Sequence, residues 1–217
     1  MTLPSEPAPK PDSETGLPRP PRAPVAIGWK PSKPATDIRA SDPPPGKGPA
    51  LEWSAQPRGD AWKMVGIALI LIVAGISLYW VIFVGWEGFG WMKYWPTWLL
   101  VLAGSLFFLL MRKGTKMTAG SDWVYIADKR WIDTYNLREI TVTRGRDTDL
   151  KLVDNEDRQN ISSLSEYQRN RNLWDLVYNG ILHSAAYNNA RVNSDAISAL
   201  YLKDILPYDY KPFDEAG

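Results

Sequence analysis

Few residues in this 217-residue chain are of types that could do chemistry, and their spacing assembles none of the usual constellations. His183 is the single histidine and cysteine is absent, which excludes a thiolate nucleophile, a disulfide and a cysteine–zinc site. A histidine metal centre or a Ser-His-Asp triad would have to rest on that one imidazole, which sits in a helical pattern between Leu182 and Ser184 and reads as a packed or surface side chain. The acidic group Asp147, Asp149, Asp154, Glu156 and Asp157 offers carboxylates to a hard cation but lacks the EF-hand spacing, so it reads as solvated turn residues. Arg144, Arg146 and Lys151 bracket one hairpin turn, with Arg169 and Arg171 further along. Beside a membrane each such cation adds about 1 kcal/mol of attraction to an anionic headgroup. These three are the candidate headgroup contacts, although Asp147 and Asp149 in the same turn cancel much of their field. No phosphate-cradling glycine loop is present, and the Asn160-Ile161-Ser162 glycosylation pattern has no use on a cytoplasmic strand. The sequence therefore assigns no catalytic residue, no cofactor-binding residue and no metal ligand.

The elements that would position these residues are organised around two apolar runs. Met64 to Trp86 holds 23 residues without a charge, against the ~20 a helix needs to cross a hydrocarbon core of ~30 Å. Trp95 to Met111 holds 17, near the lower limit of a spanning helix. The break EGFGWMKY (Glu87 to Tyr94) is crowded with aromatics, and Trp80, Trp86, Trp91, Trp95 and Trp98 are expected as membrane-interface anchors, with the ring buried and the N–H wet. Pro96 suits the first turn of the second helix. Arg58 and Lys63 precede the first run and Arg112, Lys113 and Lys116 follow the second, against Lys93 alone between them, which places both termini in the cytoplasm. Neither run contains Asp, Glu, Lys, Arg or His, the residues that mark transport paths, while Gly75, Ser77, Ala103, Gly104 and Ser105 would let helices approach closely. An N-terminal signal peptide is not expected, because no apolar run precedes residue 60.

The expected organisation is a disordered Pro-rich tail (1–60), a transmembrane helical hairpin (61–112), a connector (113–121), a small cytoplasmic domain (122–203) and a C-terminal tail (204–217). The first segment holds 15 of the 18 prolines and too little aliphatic surface to repay its ordering. Its runs at Gly16–Pro24 and Asp42–Pro49 favour polyproline II, which a Pro-reading partner could dock, and Trp29 and Trp53 stand as isolated contact points. After the connector, short alternating runs at Trp123–Ala127, Trp131–Tyr135, Leu137–Val142, Leu150–Val153 and around Ile161 read as about five antiparallel strands. A helix capped by Asn170 or Asn172 then buries Leu173, Leu176, Val177, Gly180, Ile181 and Ser184, and a shorter helix is expected over Ser194–Lys203. The fold class is a membrane α-hairpin plus a small α+β domain, an antiparallel sheet or barrel capped by a C-terminal helix.

The runs WVYI (123–126), RWIDTYNLREI (130–140), DLKLVD (149–154) and NLWDLVYNGILHS (172–184) resemble uncharacterised actinobacterial membrane proteins carrying a bacterial pleckstrin-homology-like domain. The likeness covers roughly residues 60–202 and implies a seven-stranded, strongly bent sheet closed by a C-terminal helix. It brings no catalytic residues and no cofactor.

With 25 basic against 24 acidic residues, nothing in the charge recommends a nucleic-acid partner. The functional expectation is a non-enzymatic, PH-like interaction or scaffold module tethered to the cell membrane, with the bilayer and a membrane protein as partners. An accessory subunit of a larger membrane complex and an anionic-lipid sensor are the alternatives. The oligomeric state is left open.

Overall fold

The computed structural model describes residues 6–25, 39–55, 59–85, 90, 92–111, 116–126, 130–145 and 147–213. The chain divides into two units, one made of Met1–Ala55 with Thr115–Gly217, the other of Gln56–Gly114. In chain order the elements are β1 (Glu52–Ala55), α1 (Gly59–Val84), α2 (Trp95–Met111), β2 (Lys116–Ala119), β3 (Trp123–Ile126), β4 (Arg130–Asp133), β5 (Leu137–Arg144), β6 (Thr148–Asp154), β7 (Gln159–Ser163), α3 (Leu164–Gln168), α4 (Arg171–Tyr187), β8 (Arg191–Val192) and α5 (Ser194–Ala199).

The smaller unit consists of α1 and α2. Its segment Val65–Phe83 is long and apolar enough to cross a membrane. No other described helix meets that test, because α2 stops at 17 residues and rises only ~26 Å. Ile70, Leu71, Ile82 and Phe83 present bare apolar surface, which in water has no compensation. Glycine at 104 lets the two helices meet, since a Cβ there would already lie 3.8 Å from Ile72 Cδ1.

The larger unit is built on two four-stranded sheets, in the orders β1-β2-β3-β4 and β7-β6-β5-β8. All neighbours are antiparallel except β8, which runs parallel to β5. The period of two decides which side chains face inward: Ile140 and Val142 on β5 sit opposite Leu152 and Leu150 on β6, and all four are fully buried. The stripe on α4 joins the same core with Leu173, Trp174, Val177 and Ile181. Asn170 caps this helix by accepting the N–H groups of Asn172 and Leu173. Glycine at 180 is required by packing, because a Cβ would meet Thr134 Cβ and Oγ1 at 2.6 Å. One turn later, Ser184 Oγ donates to the Thr134 carbonyl at 3.0 Å and accepts the Leu137 N–H at 3.1 Å, clamping the β4–β5 turn to α4.

Several expectations need correction. The five expected strands correspond to β3 through β7, with Ala127 outside the described residues, but eight strands are present among the described residues. The additional ones lie where no alternation was legible. β1 belongs to the expected tail, β2 lies inside the expected connector, and β8 is two residues long. Residues 6–25 and 39–55 are also ordered against the domain rather than free, although they cannot fold alone. Prolines hold the chain extended in advance, which lowers the entropy lost on docking, and the domain pairs its polar groups. Glycine at 48 brings the two segments into contact, since a Cβ there would stand 2.1 Å from the Ser13 carbonyl oxygen. Val25 packs on the core and Trp53 stays partly exposed, whereas Trp29 lies outside the described residues.

The C-terminal end differs as well. Helix α5 closes at Ala199, and Tyr201 takes a left-handed backbone (φ 54°), which turns the chain so that Leu202 and Leu206 are buried. Residues 204–213 are not loose. Tyr210 Oη accepts the Val192 N–H at 2.6 Å, the Phe213 N–H donates to the Val192 carbonyl at 2.9 Å, and Arg191 stacks 3.5 Å from the Phe213 ring.

Candidate peptide-docking face

Beside its apolar stripe, α4 carries a second row of polar side chains, Asn172, Asp175, Asn179 and His183, spaced three and four residues apart and therefore on one face. Every member of this row meets the N-terminal arm. The Asp175 carboxylate accepts the Ala23 N–H at 2.8 Å and a hydrogen bond from Arg22 at 2.8 Å, while Arg22 also donates to Asn172 Oδ1 at 2.9 Å. Asn179 Nδ2 donates to the Ala8 carbonyl at 3.2 Å and to Tyr135 Oη at 2.8 Å. His183 Nε2 lies 2.6 Å from the same Ala8 carbonyl, its ring held between Tyr135 and Tyr187. The core side chain Trp174 reaches through to donate its indole N–H to the Pro24 carbonyl at 2.7 Å, and Arg171 donates to the Ala23 carbonyl at 2.9 Å. These partners are main-chain groups on either side of a turn at residues 13–15, plus one cation.

A second anchor lies on the first sheet. Lys47 Nζ is 3.0 Å from Asp122 and 2.8 Å from Asp133, and Lys10 Nζ is 3.0 Å from Asp122. Trp123 donates its indole N–H to the Gly48 carbonyl at 3.0 Å, and Asn170 Nδ2 donates to the Trp53 carbonyl at 2.9 Å. Burial would raise the Asp122 pKa, but hydrogen bonds and charge from Lys10 and Lys47 outweigh it and hold the carboxyl below its ordinary value. At Asp175 the balance is reversed. Burial is the largest influence and lifts its pKa despite the Ala23 N–H and Arg22.

Of the expected headgroup contacts, Arg144 pairs with Asp195 at 3.1 Å and donates to Ser198 at 3.0 Å, and Lys151 pairs with Glu139 at 2.8 Å. The register sets Arg144 opposite Thr148 and Lys151 opposite Thr141, three residues apart along each strand, so the two lie on opposite faces of the sheet. Arg146 lies outside the described residues. The acidic turn is organised for structure: Asp154 is buried, binds Arg158 Nε at 2.7 Å and accepts the N–H groups of Glu156 and Arg158. Among the described residues no group of three or more His, Cys, Asp or Glu could hold a metal. Trp80 is half-buried on α1, Trp95 and Trp98 are exposed on α2, and Trp86 and Trp91 lie outside the described residues.

The docking face was missed in the sequence because its ligand is the segment read as a tail. The available signal was the polar row at helical spacing beside the apolar one, which a surface helix with one partner does not need. No protein-family model, no curated protein and no solved structure matches this chain.

Proposed function

We propose that this chain is a non-enzymatic, membrane-tethered interaction module, in which a pleckstrin-like domain is fixed at the cell membrane and uses the outer face of α4 to hold an extended peptide. The observation that carries the reading is the place of the apolar unit in the chain. Residues 56–114 are inserted between β1 and β2, and the strand residues that flank them, Ala55 and Lys116, are register partners. The chain leaves the sheet and returns to it at one point, so the apolar segment is a loop of the domain rather than a separate leader. Support for the pleckstrin-like assignment comes from the strand order: β1 to β4 in one sheet, β5 to β7 in the other, then α4 closing the core. In this reading α1 and α2 both cross the bilayer, and both termini are cytoplasmic, following the basic residues at 58, 63, 112, 113 and 116. Tethering raises the effective concentration of the face for partners at the membrane.

Lipid sensing is the weaker reading, because Arg144 and Lys151 already have carboxylate partners and face apart. Purification of the tagged full-length protein in mild detergent, followed by mass spectrometry, separates the alternatives. A protein partner retained at moderate salt supports the module, a stoichiometric set of membrane subunits makes it an accessory subunit, and phospholipid alone overturns the reading.

A further inference from the structure

We infer that the α4 face is a receptor for a basic–small–proline peptide, filled in cis by Arg22–Pro24 of the arm, and that a segment of the same chemistry on another polypeptide takes the same seat when the arm leaves. The inference rests on the interaction-module reading and names its ligand.

Four observations carry it. The receptor contacts are those that recognise a peptide as a peptide: Asp175 takes the Ala23 N–H, Arg171 the Ala23 carbonyl, Trp174 the Pro24 carbonyl, and Asn179 with His183 the Ala8 carbonyl. Side-chain selection is concentrated at two positions. Arg22 is read by Asp175 and Asn172, and Ala23, only 2% exposed and part of the core, leaves no room for a larger residue. Pro24 follows, with its φ fixed by the ring, and offers its carbonyl to Trp174. The same residue types recur in a different order at the far end, where Ala8, Pro9 and Lys10 meet His183, Asn179 and Asp122.

The seat is also exchangeable. Arg22 and Lys10 are about half exposed in their ion pairs, which makes each anchor individually weak and open to competition. The arm does not fill the groove either: a cavity of about 280 Å³ remains between Arg19, Arg22, Glu52, Asn172 and Asp175. Because the arm is covalently attached, its effective concentration is of the order of millimolar, and an outside peptide gains access only when that advantage is removed.

The test uses the full chain in mild detergent and two labelled peptides, one with the sequence of residues 16–25 and one with Glu in place of Arg22. Arg22→Glu sets two carboxylates against each other and frees the arm at this anchor. The expected result is that Arg22→Glu binds the arginine peptide at least tenfold more tightly than the wild-type chain does, and at least tenfold more tightly than it binds the glutamate peptide. Equal binding of both peptides, or no gain over wild type, overturns the inference. If Arg22→Glu does not fold, hydrogen exchange of the wild-type arm decides: millimolar arginine peptide should raise exchange at Ala23 at least fivefold, and unchanged exchange overturns the inference. Binding of free arm from a second copy in place of the peptide would identify the occupant as this chain itself and supports the receptor. Either failure leaves the co-purification result standing, so the loss of this ligand is distinguishable from the loss of the module.

Discussion

Trypsin cannot cut before proline, and this pattern makes the arm report on its own docking. Of the Lys and Arg residues before β1, Lys10, Arg19, Lys30 and Lys33 precede proline, which leaves Arg22–Ala23, Arg39–Ala40 and Lys47–Gly48 as cleavable bonds. Cleavage after Lys47 requires its side chain to leave Asp122 and Asp133. Asp122→Asn removes one of these partners and the partner of Lys10. Lys10 is 47% exposed in its pair, so that contact is worth only about 0.5 kcal/mol. Lys47 is 19% exposed against 10% for Asp122, and a charge-assisted bond at that burial is worth about 1.5 kcal/mol. The sum of about 2 kcal/mol corresponds to a roughly 30-fold rise in the open population at about 1.4 kcal/mol per factor of ten. When opening and closing are fast relative to cleavage, the cutting rate rises by the same factor. The assay is the rate at which the fragment ending at Lys47 forms in detergent-solubilised full chain, read by mass spectrometry. A rise of less than threefold, or a wild-type site already cut at the rate of denatured chain, refutes a docked arm.

Two further outcomes follow from the same contacts. The Asp122 carboxyl is held below 3.8 in the fold, so its stabilising contribution is present above that value and lost as pH falls below it. Lys47 is held above 10.5 against the opposing effect of burial, so its contribution is whole below 10.5 and lost as pH rises through the raised value. The Trp123 indole N–H, bonded to Gly48, should therefore keep one NMR position between these limits and shift towards its free value outside them. Asp175 behaves oppositely: burial raises its pKa, so its contribution is whole below 3.8 and weakens as pH rises through the raised value. Separately, Ser184→Ala leaves the Leu137 N–H and the Thr134 carbonyl unpaired in a fully buried site, at a cost of about 2–3 kcal/mol, checked as a lower urea midpoint for the larger unit.

What could be read from the sequence follows the strength of local periodicity. The α4 stripe was legible at Leu173, Leu176, Val177, Ile181 and the close approach at Gly180, because a 3.6-residue period over a capped helix is a strong signal, whereas the hydrogen bonds of Ser184 and the burial of Trp174 were not. β3 to β7 were legible from alternation around Trp123, Ile132, Ile140, Leu152 and Ile161. β1 and β2 were not, since EWSA and KMTA carry few of the β-branched and aromatic side chains that mark WVYI and owe their pairing to each other across 60 intervening residues. The docked arm was illegible for a related reason. Its order comes from Asp122, Asp175 and Trp174, more than 70 residues away, and composition describes only what a segment can do alone. The basic turn shows the converse error: Arg144 and Lys151 are close in sequence, but pleat and partners separate them.

The most direct test replaces residues 56–115 with an Asn-Gly turn, joining the register partners Ala55 and Lys116 as a two-residue hairpin. If the apolar unit is an inserted tether in a domain that folds around its own arm, the shortened chain folds, protects the Lys47–Gly48 bond as the parent does, and moves from the membrane fraction to the soluble fraction. A shortened chain that stays with the membrane contradicts tethering by α1 and α2, and one that loses protection at Lys47 contradicts the β1–β2 pairing on which the account depends.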